Sequence, residues 1–276
     1  VIWYTGHFYS LFFMTSTLKI NYQLAYTYLT IALLLGTPFF VFFGWLSDRI
    51  GRKWLMMASC AISALAFIPI FHGLTYYGNP GLYEFRAKNT VIIEGGDCRE
   101  DQTFVGQLFQ PRVTKPCTLA KAFLSANAVP YEVRAGGADL KIVVGGQPLN
   151  GFDEKSLRAE LTKRGLPTAA DPNRINGPMM VFLLFLLIFL ATMIYGPIGA
   201  FLVELFPTKV RYSGVSVALQ FGNGWIGGFA PFIASLMVVS SGDIFSGLWY
   251  TVVIAAVTCV IGSLLIGETR STDITR

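Results

Sequence analysis

The stretch GWLSDRIGRK, residues 44 to 53, sets Asp48, Arg49, Arg52 and Lys53 between two long apolar runs. Those residue types allow several interactions. Asp48 can accept from helix N-terminal amides, while Arg49, Arg52 and Lys53 can bind acids or headgroups on an adjoining segment. Gly44 would let a neighbouring helix approach closely. Such a cluster can latch one conformation and release another, or it can simply anchor a loop at a membrane surface. A second set of polar residues lies inside apolar runs. His7 is the one ionisable side chain well inside such a run, and it titrates near neutral pH. It either meets a substrate or a proton, or it packs as a satisfied hydrogen-bonding group. Tyr4, Gln220 and Asn223 complete the candidates. Gln220 and Asn223 are three apart and would share a helical face, lining a cavity or bonding another helix. Trp3 and Trp225 read either as ligand contacts or as lipid-facing packing.

The elements that must hold these residues are membrane spans. The chain has 276 residues, 53% hydrophobic and only 13% charged, about half the charged share of a soluble domain. Six stretches are apolar enough for spanning helices: Val1 to Leu18, Tyr26 to Leu46, Trp54 to His72, Pro178 to Phe206, Ser213 to Val239 and Phe245 to Gly267. The runs are continuous rather than alternating, which points to helices and not to a barrel. Arg49, Arg52, Lys53, Lys209, Arg211, Arg270 and Arg276 all fall on one side of these spans, against Lys19 on the other. That asymmetry predicts a cytoplasmic SDRIGRK side and a multi-pass plasma-membrane protein. The net charge of +5 then reports topology, and no basic stripe interleaved with aromatics suggests nucleic acid.

Most of the charged residues lie between Tyr76 and Asn176. This segment is expected outside the cytoplasm as a small α+β domain, giving divisions at 1–75, 76–176 and 177–276. NTVIIEGG, VPYEVRAG and ADLKIVVGGQPL read as strands, and DEKSLRAELTKRG reads as a helix closed by Gly165. Adjacent Asp153 and Glu154 open that helix and read as caps. Cys98 and Cys117 both fall in the segment, where a disulfide between them would close a loop of about 20 residues. Zinc spacing, G-x-S-x-G and G-x-x-x-x-G-K are absent from the sequence. The expectation is a protein that is not an enzyme and carries no cofactor or metal.

GWLSDRIGRK resembles the loop signature G-x-L-x-D-R-x-G-R-K of the major facilitator superfamily, with every fixed position present. YGPIGAFLVELFPTKVRYSGVSVALQFGNGWIGGFAPFIASLMV, residues 195 to 238, resembles spans ten to twelve of its metabolite:proton symporter branch when taken with the final span and GETR. The opening WYTGHFYSLFFM resembles span seven. The resemblance implies the six-helix C-terminal half of an all-α transporter bundle, working with a missing N-terminal half. The outer segment departs from the family pattern. By the same resemblance, Gly44, Asp48, Arg49, Gly51, Arg52, Lys53, Glu204 and Arg211 belong to a cytoplasmic gate, with Glu204 the acid it engages. The glycines of GNGWIGGFAP and of YGPIGA, with Pro197, are expected to act as hinges. The implied function is proton-coupled symport of a small polar metabolite, an organic acid or osmolyte. The alternatives are a sensor whose outer domain binds a ligand, and an adhesion or assembly protein.

Overall fold

The computed structural model describes residues 1–95, 98, 115–134, 136–137 and 139–270. Five helices are long and apolar enough to cross a membrane: α2 (Tyr22–Ile50), α3 (Arg52–Gly78), α7 (Gly177–Leu205), α8 (Arg211–Ser241) and α9 (Leu248–Leu265). The first expected span, α1, is a shorter helical stretch over 2–17 that alternates between α and π geometry. The membrane part is thus all-α. Leu34, Val41, Leu65, Leu264 and Leu265 are mostly exposed on the helix surfaces, as an outer face solvated by lipid tails allows.

α7 is the central post of the bundle, packing against both α2 and α3, while α9 packs on α3. Close approach at the α2 and α7 crossing depends on two glycines. A Cβ on Gly196 would lie 3.0 Å from both the Gly44 nitrogen and the Phe40 carbonyl oxygen. The helix-approach role expected for Gly44 therefore has a definite partner. α2 ends where Gly51 takes φ +105°, a conformation that residues with a side chain avoid.

At the ends of the spans opposite Gly51, a small α+β unit covers the bundle. It begins with α4 (Pro80–Lys88), continues with β1 (Val91–Glu94), α5 (Pro116–Ala126), β2 (Tyr131–Arg134), β3 (Lys141–Val144) and β4 (Gln147–Asn150), and closes with α6 (Glu154–Lys163). The sheet order is β2-β1-β3-β4, with β1 and β2 parallel and the remaining pairs antiparallel. Alternation sends Val91, Ile93, Ile142 and Val144 into one core with Leu124, Leu157 and Leu161. The run ADLKIVVGGQPL is two strands. Gly145 at φ +52° and Gly146 at φ +89° form the turn between them, a pair of left-handed positions suited to a two-residue hairpin. Asp153 caps α6 by accepting from the Ser156 amide at 3.0 Å, and the bonds from Ser156 hold its carboxyl below the usual range.

The unit is fastened to the spans by buried polar contacts. The Asn79 side chain accepts from the Leu82 amide at 3.0 Å, opening α4, and donates to the Leu18 carbonyl at 2.9 Å. Arg86 donates to the Ala128 carbonyl at 2.6 Å and pairs with Asp243, in the connection after α8, at 3.0 Å. Burial pulls the Arg86 guanidinium down from its ordinary value, and Asp243 opposes that. The Tyr131 hydroxyl donates to the Val239 carbonyl, and burial pushes that phenol up to about 12.

Cys98 and Cys117 meet as a disulfide, their Cα atoms 5.5 Å apart. Replacing Cys117 with Ser is expected to lower the stability of this unit by about 3 kcal/mol. The measurement is amide exchange at Ile142 and Val144 in the reconstituted chain. Unchanged exchange would mean that the bridge contributes nothing.

Candidate functional site

Arg52 opens α3 directly after Gly51, so the helix start throws its side chain toward the neighbouring helix ends. Its Nη2 donates to Asp48 Oδ1 at 3.1 Å and to Glu204 Oε1, at the end of α7, at 2.8 Å. The two partners differ in setting: the side chains of Arg52 and Glu204 are 11% and 8% exposed, whereas that of Asp48 is 65% exposed. Arg52 and Glu204 form the dominant pair, because a desolvated charge suffers far more from losing its partner. Glu204 Oε2 also accepts from the Thr269 hydroxyl at 2.7 Å. Arg52 Nε and Nη1 are buried and have no acceptor among the described residues.

Glu268 is the residue that sequence reasoning missed. Its carboxylate accepts from the amides of Arg52 at 2.9 Å and Lys53 at 3.2 Å, placing an anion on the first-turn amides of α3 where the helix dipole favours it. Asp48, the expected acceptor for helix amides, binds the Arg52 side chain instead. A Cβ on Gly51 would lie 2.5 Å from Glu268 Oε2, so the glycine both permits the turn and admits the carboxylate. The available signal was the GETR tail, whose acid follows the last span by three residues.

The remaining gate candidates take separate roles. The Arg49 guanidinium lies 4.1 Å over Trp45, and its carbonyl accepts from Arg270. Lys53 Nζ donates to the Ser263 carbonyl at 2.8 Å, tying α3 to α9. Arg211 opens α8 and donates from Nε to the Phe206 carbonyl at 3.1 Å.

Within the bundle, Trp3 is ringed by His7, Phe40 and Tyr195, with ring centroids 5.4, 6.0 and 5.3 Å away. Asn223 accepts from the Tyr195 hydroxyl at 3.1 Å, linking α8 to α7. Trp3, Tyr195 and Asn223 line a cavity of about 280 Å³, to which Gly222 and Thr258 also contribute. Tyr195 is a second residue that sequence reasoning missed, since a lone tyrosine in an apolar span carries little signal. His7 lies outside this cavity, and its Nδ1 is buried without a partner among the described residues. Tyr4 stacks on Phe8 and sits against Gly227.

The expected shared face of Gln220 and Asn223 is corrected by the backbone. Both lie in a π-helical stretch, Gln220–Gly227, and i to i+5 bonding does not hold residues three apart on one face as an α turn does. Asn223 reaches α7, while Gln220 is exposed. His7 lies in another π stretch, Thr5–Tyr9. Trp225 is 68% exposed and stacked on Phe221, and Pro197 sits inside α7 without ending it.

Apolar spans, a capping α+β unit and an ionic knot at the far helix ends define a multi-pass membrane protein. Two relatives sharpen that class. The chain is 39% identical over 96 residues to the inner membrane metabolite transport protein YhjE of Escherichia coli (strain K12), across 34% of this chain and 21% of the relative. It is 33% identical over 112 residues to the citrate-proton symporter of Klebsiella pneumoniae, across 38% of this chain and 25% of the relative. The matched stretches thus span between a fifth and a quarter of these relatives' lengths. Both names are those of transporters, which are not enzymes. No family model and no solved structure matches the chain.

Charge placement leads to a ranking of variants. Glu204→Gln removes the charge facing buried Arg52 and should cost about 3 kcal/mol, whereas Asp48→Asn at the exposed partner should cost less than about 1 kcal/mol. Glu268→Ala, which uncaps α3, should fall near 1 kcal/mol. Thermal unfolding of the purified chain in one detergent checks the order. Equal losses at Glu204 and Asp48 would contradict it.

Proposed function

We propose that this chain forms the C-terminal half of a secondary transporter of the major facilitator type, which moves a small polar metabolite together with protons. The metabolite class is an organic acid or osmolyte. The observation that carries the reading is the ionic knot joining α2, α3, α7 and the tail after α9 through Asp48, Arg52, Glu204, Thr269 and Glu268. A knot of this kind closes one end of a bundle without covalent bonds, and rocking of the helices can undo it. The names of the two relatives support transport, one of them with protons.

In this reading the knot lies on the cytoplasmic side of an inner membrane, and residues 76–176 form an extracytoplasmic domain. The cavity beside Trp3, Tyr195 and Asn223 contributes half of a substrate site that an N-terminal six-helix half completes. Exposed Gln220 faces that half, and His7 supplies a titratable or hydrogen-bonding group near the site. The π stretches around His7 and Gln220 supply local give, because π turns interrupt the regular helix ladder. With the knot closed, the cytoplasmic path is shut. Parting α7 from α3 separates Glu204 from Arg52, whose buried Nε and Nη1 can then take a carboxylate from the opposing half.

The test is uptake by the intact transporter in vesicles, using labelled organic acids and osmolytes with and without an imposed proton gradient. Gradient-driven uptake that Asp48→Asn reduces and Glu204→Gln abolishes, at unchanged expression, is the expected result. No uptake of any compound, with tight ligand binding by residues 76–176, would replace transport with a sensing role.

A further inference from the structure

The seam between the α+β unit and the spans holds a second cavity, of about 300 Å³, on the face opposite the ionic knot. It is walled by Tyr9, Ser16 and Thr17 of α1, by Ser125 of α5, by Ser235 of α8, and by Lys19 just beyond α1. Lys19 is half-buried and makes no ion pair or side-chain hydrogen bond among the described residues. The neighbouring charge that acts on it is Arg158, of the same sign. The Ser16 and Thr17 hydroxyls likewise have no hydrogen-bond partner among the described residues. The Ser235 hydroxyl is already committed, donating to the Pro231 carbonyl of its own helix at 2.8 Å.

The backbone at this lysine is unusual as well. Lys19 has φ +55°, and Ile20 donates back to the Met14 carbonyl at 3.0 Å. This is a helix C-terminus whose left-handed position normally falls to glycine. A lysine there costs about 1 kcal/mol relative to glycine. The Lys19 carbonyl is also held by the Ala170 amide at 3.1 Å, so the residue is fixed from both sides while its ammonium stays unpaired.

We infer that this seam is a binding site for a small carboxylate-bearing metabolite, held by the Lys19 ammonium and the Ser16 and Thr17 hydroxyls. Its dimensions suit a small anion. A half-buried ammonium with no carboxylate of its own draws an anion from solution, and the hydroxyls offer donors to the second oxygen. Tyr9 and the apolar residues around Val238 give the site a dry floor. The site lies between α1 and α8, the helices that also carry His7 and Asn223. An anion bound here stands at the outer mouth of the route toward those residues. The existence of the site rests on the seam alone; only its place on a route rests on the transporter reading.

The experiment is titration of labelled citrate onto the full chain in phosphatidylcholine nanodiscs, and again with phosphatidylglycerol added. Saturable binding is expected in both. Lys19→Asn, which tolerates the left-handed backbone but removes the charge, should weaken it about tenfold or more, and Lys19→Arg should retain it. Ala122→Leu, which adds bulk to the cavity wall from α5 and leaves the Lys19 charge in the chain, should abolish it. Equal binding by wild type and Lys19→Asn, or no binding in phosphatidylcholine, overturns the inference. Loss of binding only when phosphatidylglycerol is added would give the site to a lipid headgroup and overturn it too. Uptake by the intact transporter is a separate readout. Absent citrate binding with intact uptake sinks the site alone, and citrate binding without uptake of any compound sinks the transport reading alone.

Discussion

The constraint on which the far end of the bundle depends is that α3 begins with two unmet demands. Its first amides need acceptors, and its first side chain is a guanidinium held mostly away from water. Both demands are met by acids from distant parts of the chain, Glu268 for the amides and Glu204 for the guanidinium. The ends of α3 and α7 and the tail after α9 are therefore joined at one point by charge, beside the apolar cluster of Met56, Met57, Phe201 and Leu202. In a membrane this matters, since lipid tails solvate apolar helix faces as well as another helix does, and close packing or polar contacts must set the arrangement. The Gly44 and Gly196 crossing supplies the packing, and the knot supplies the polar contacts.

That division also explains why the knot suits a reversible closure. A buried ion pair contributes little net stability relative to a well-packed apolar contact, but losing one partner alone is costly. A structure held this way resists partial opening yet gives up little when both charges find new partners together. Asp48 is exposed and shares the same guanidinium nitrogen, so on the transport reading Arg52 would keep one acid when Glu204 leaves. Two acids of unequal burial on one arginine are a graded contact.

The sequence was readable where a signal is long or local. Apolar runs located five of the six expected spans as long helices, and Gly44, Asp48 and Arg52 stood out in the charged loop between two of them, whereas Glu204 was named only through the family resemblance. What escaped was set by tertiary packing. Glu268 is one acid in a short tail, and nothing local says that it folds back onto Gly51. α4 and α5 each begin with proline at a position that opens helices, a signal outweighed by the strand-like runs beside them. The paired positive φ of Gly145 and Gly146 marks a hairpin turn, where sequence reading had placed a single strand. Gln220 and Asn223 show a different limit, because residue spacing predicts a face only while the helix remains α.

The two ends of the bundle are built on opposite principles, and that asymmetry bears on how a bundle of this kind could move. At the knot, charges meet across helix ends beside an apolar cluster, with Lys53 and Arg270 held on carbonyls as well. At the other end, the α+β unit binds the connection after α8 through Arg86 and Asp243, and the turn after α1 through Asn79 and the Lys19 carbonyl. These ties include buried main-chain acceptors, which cannot exchange partners without leaving a carbonyl unmet. On the transport reading, the charged contacts at the knot are the ones that can exchange partners while the capped end is held. A pivot near the capped end would swing the Glu204 end of α7 and leave the seam around Lys19 almost in place.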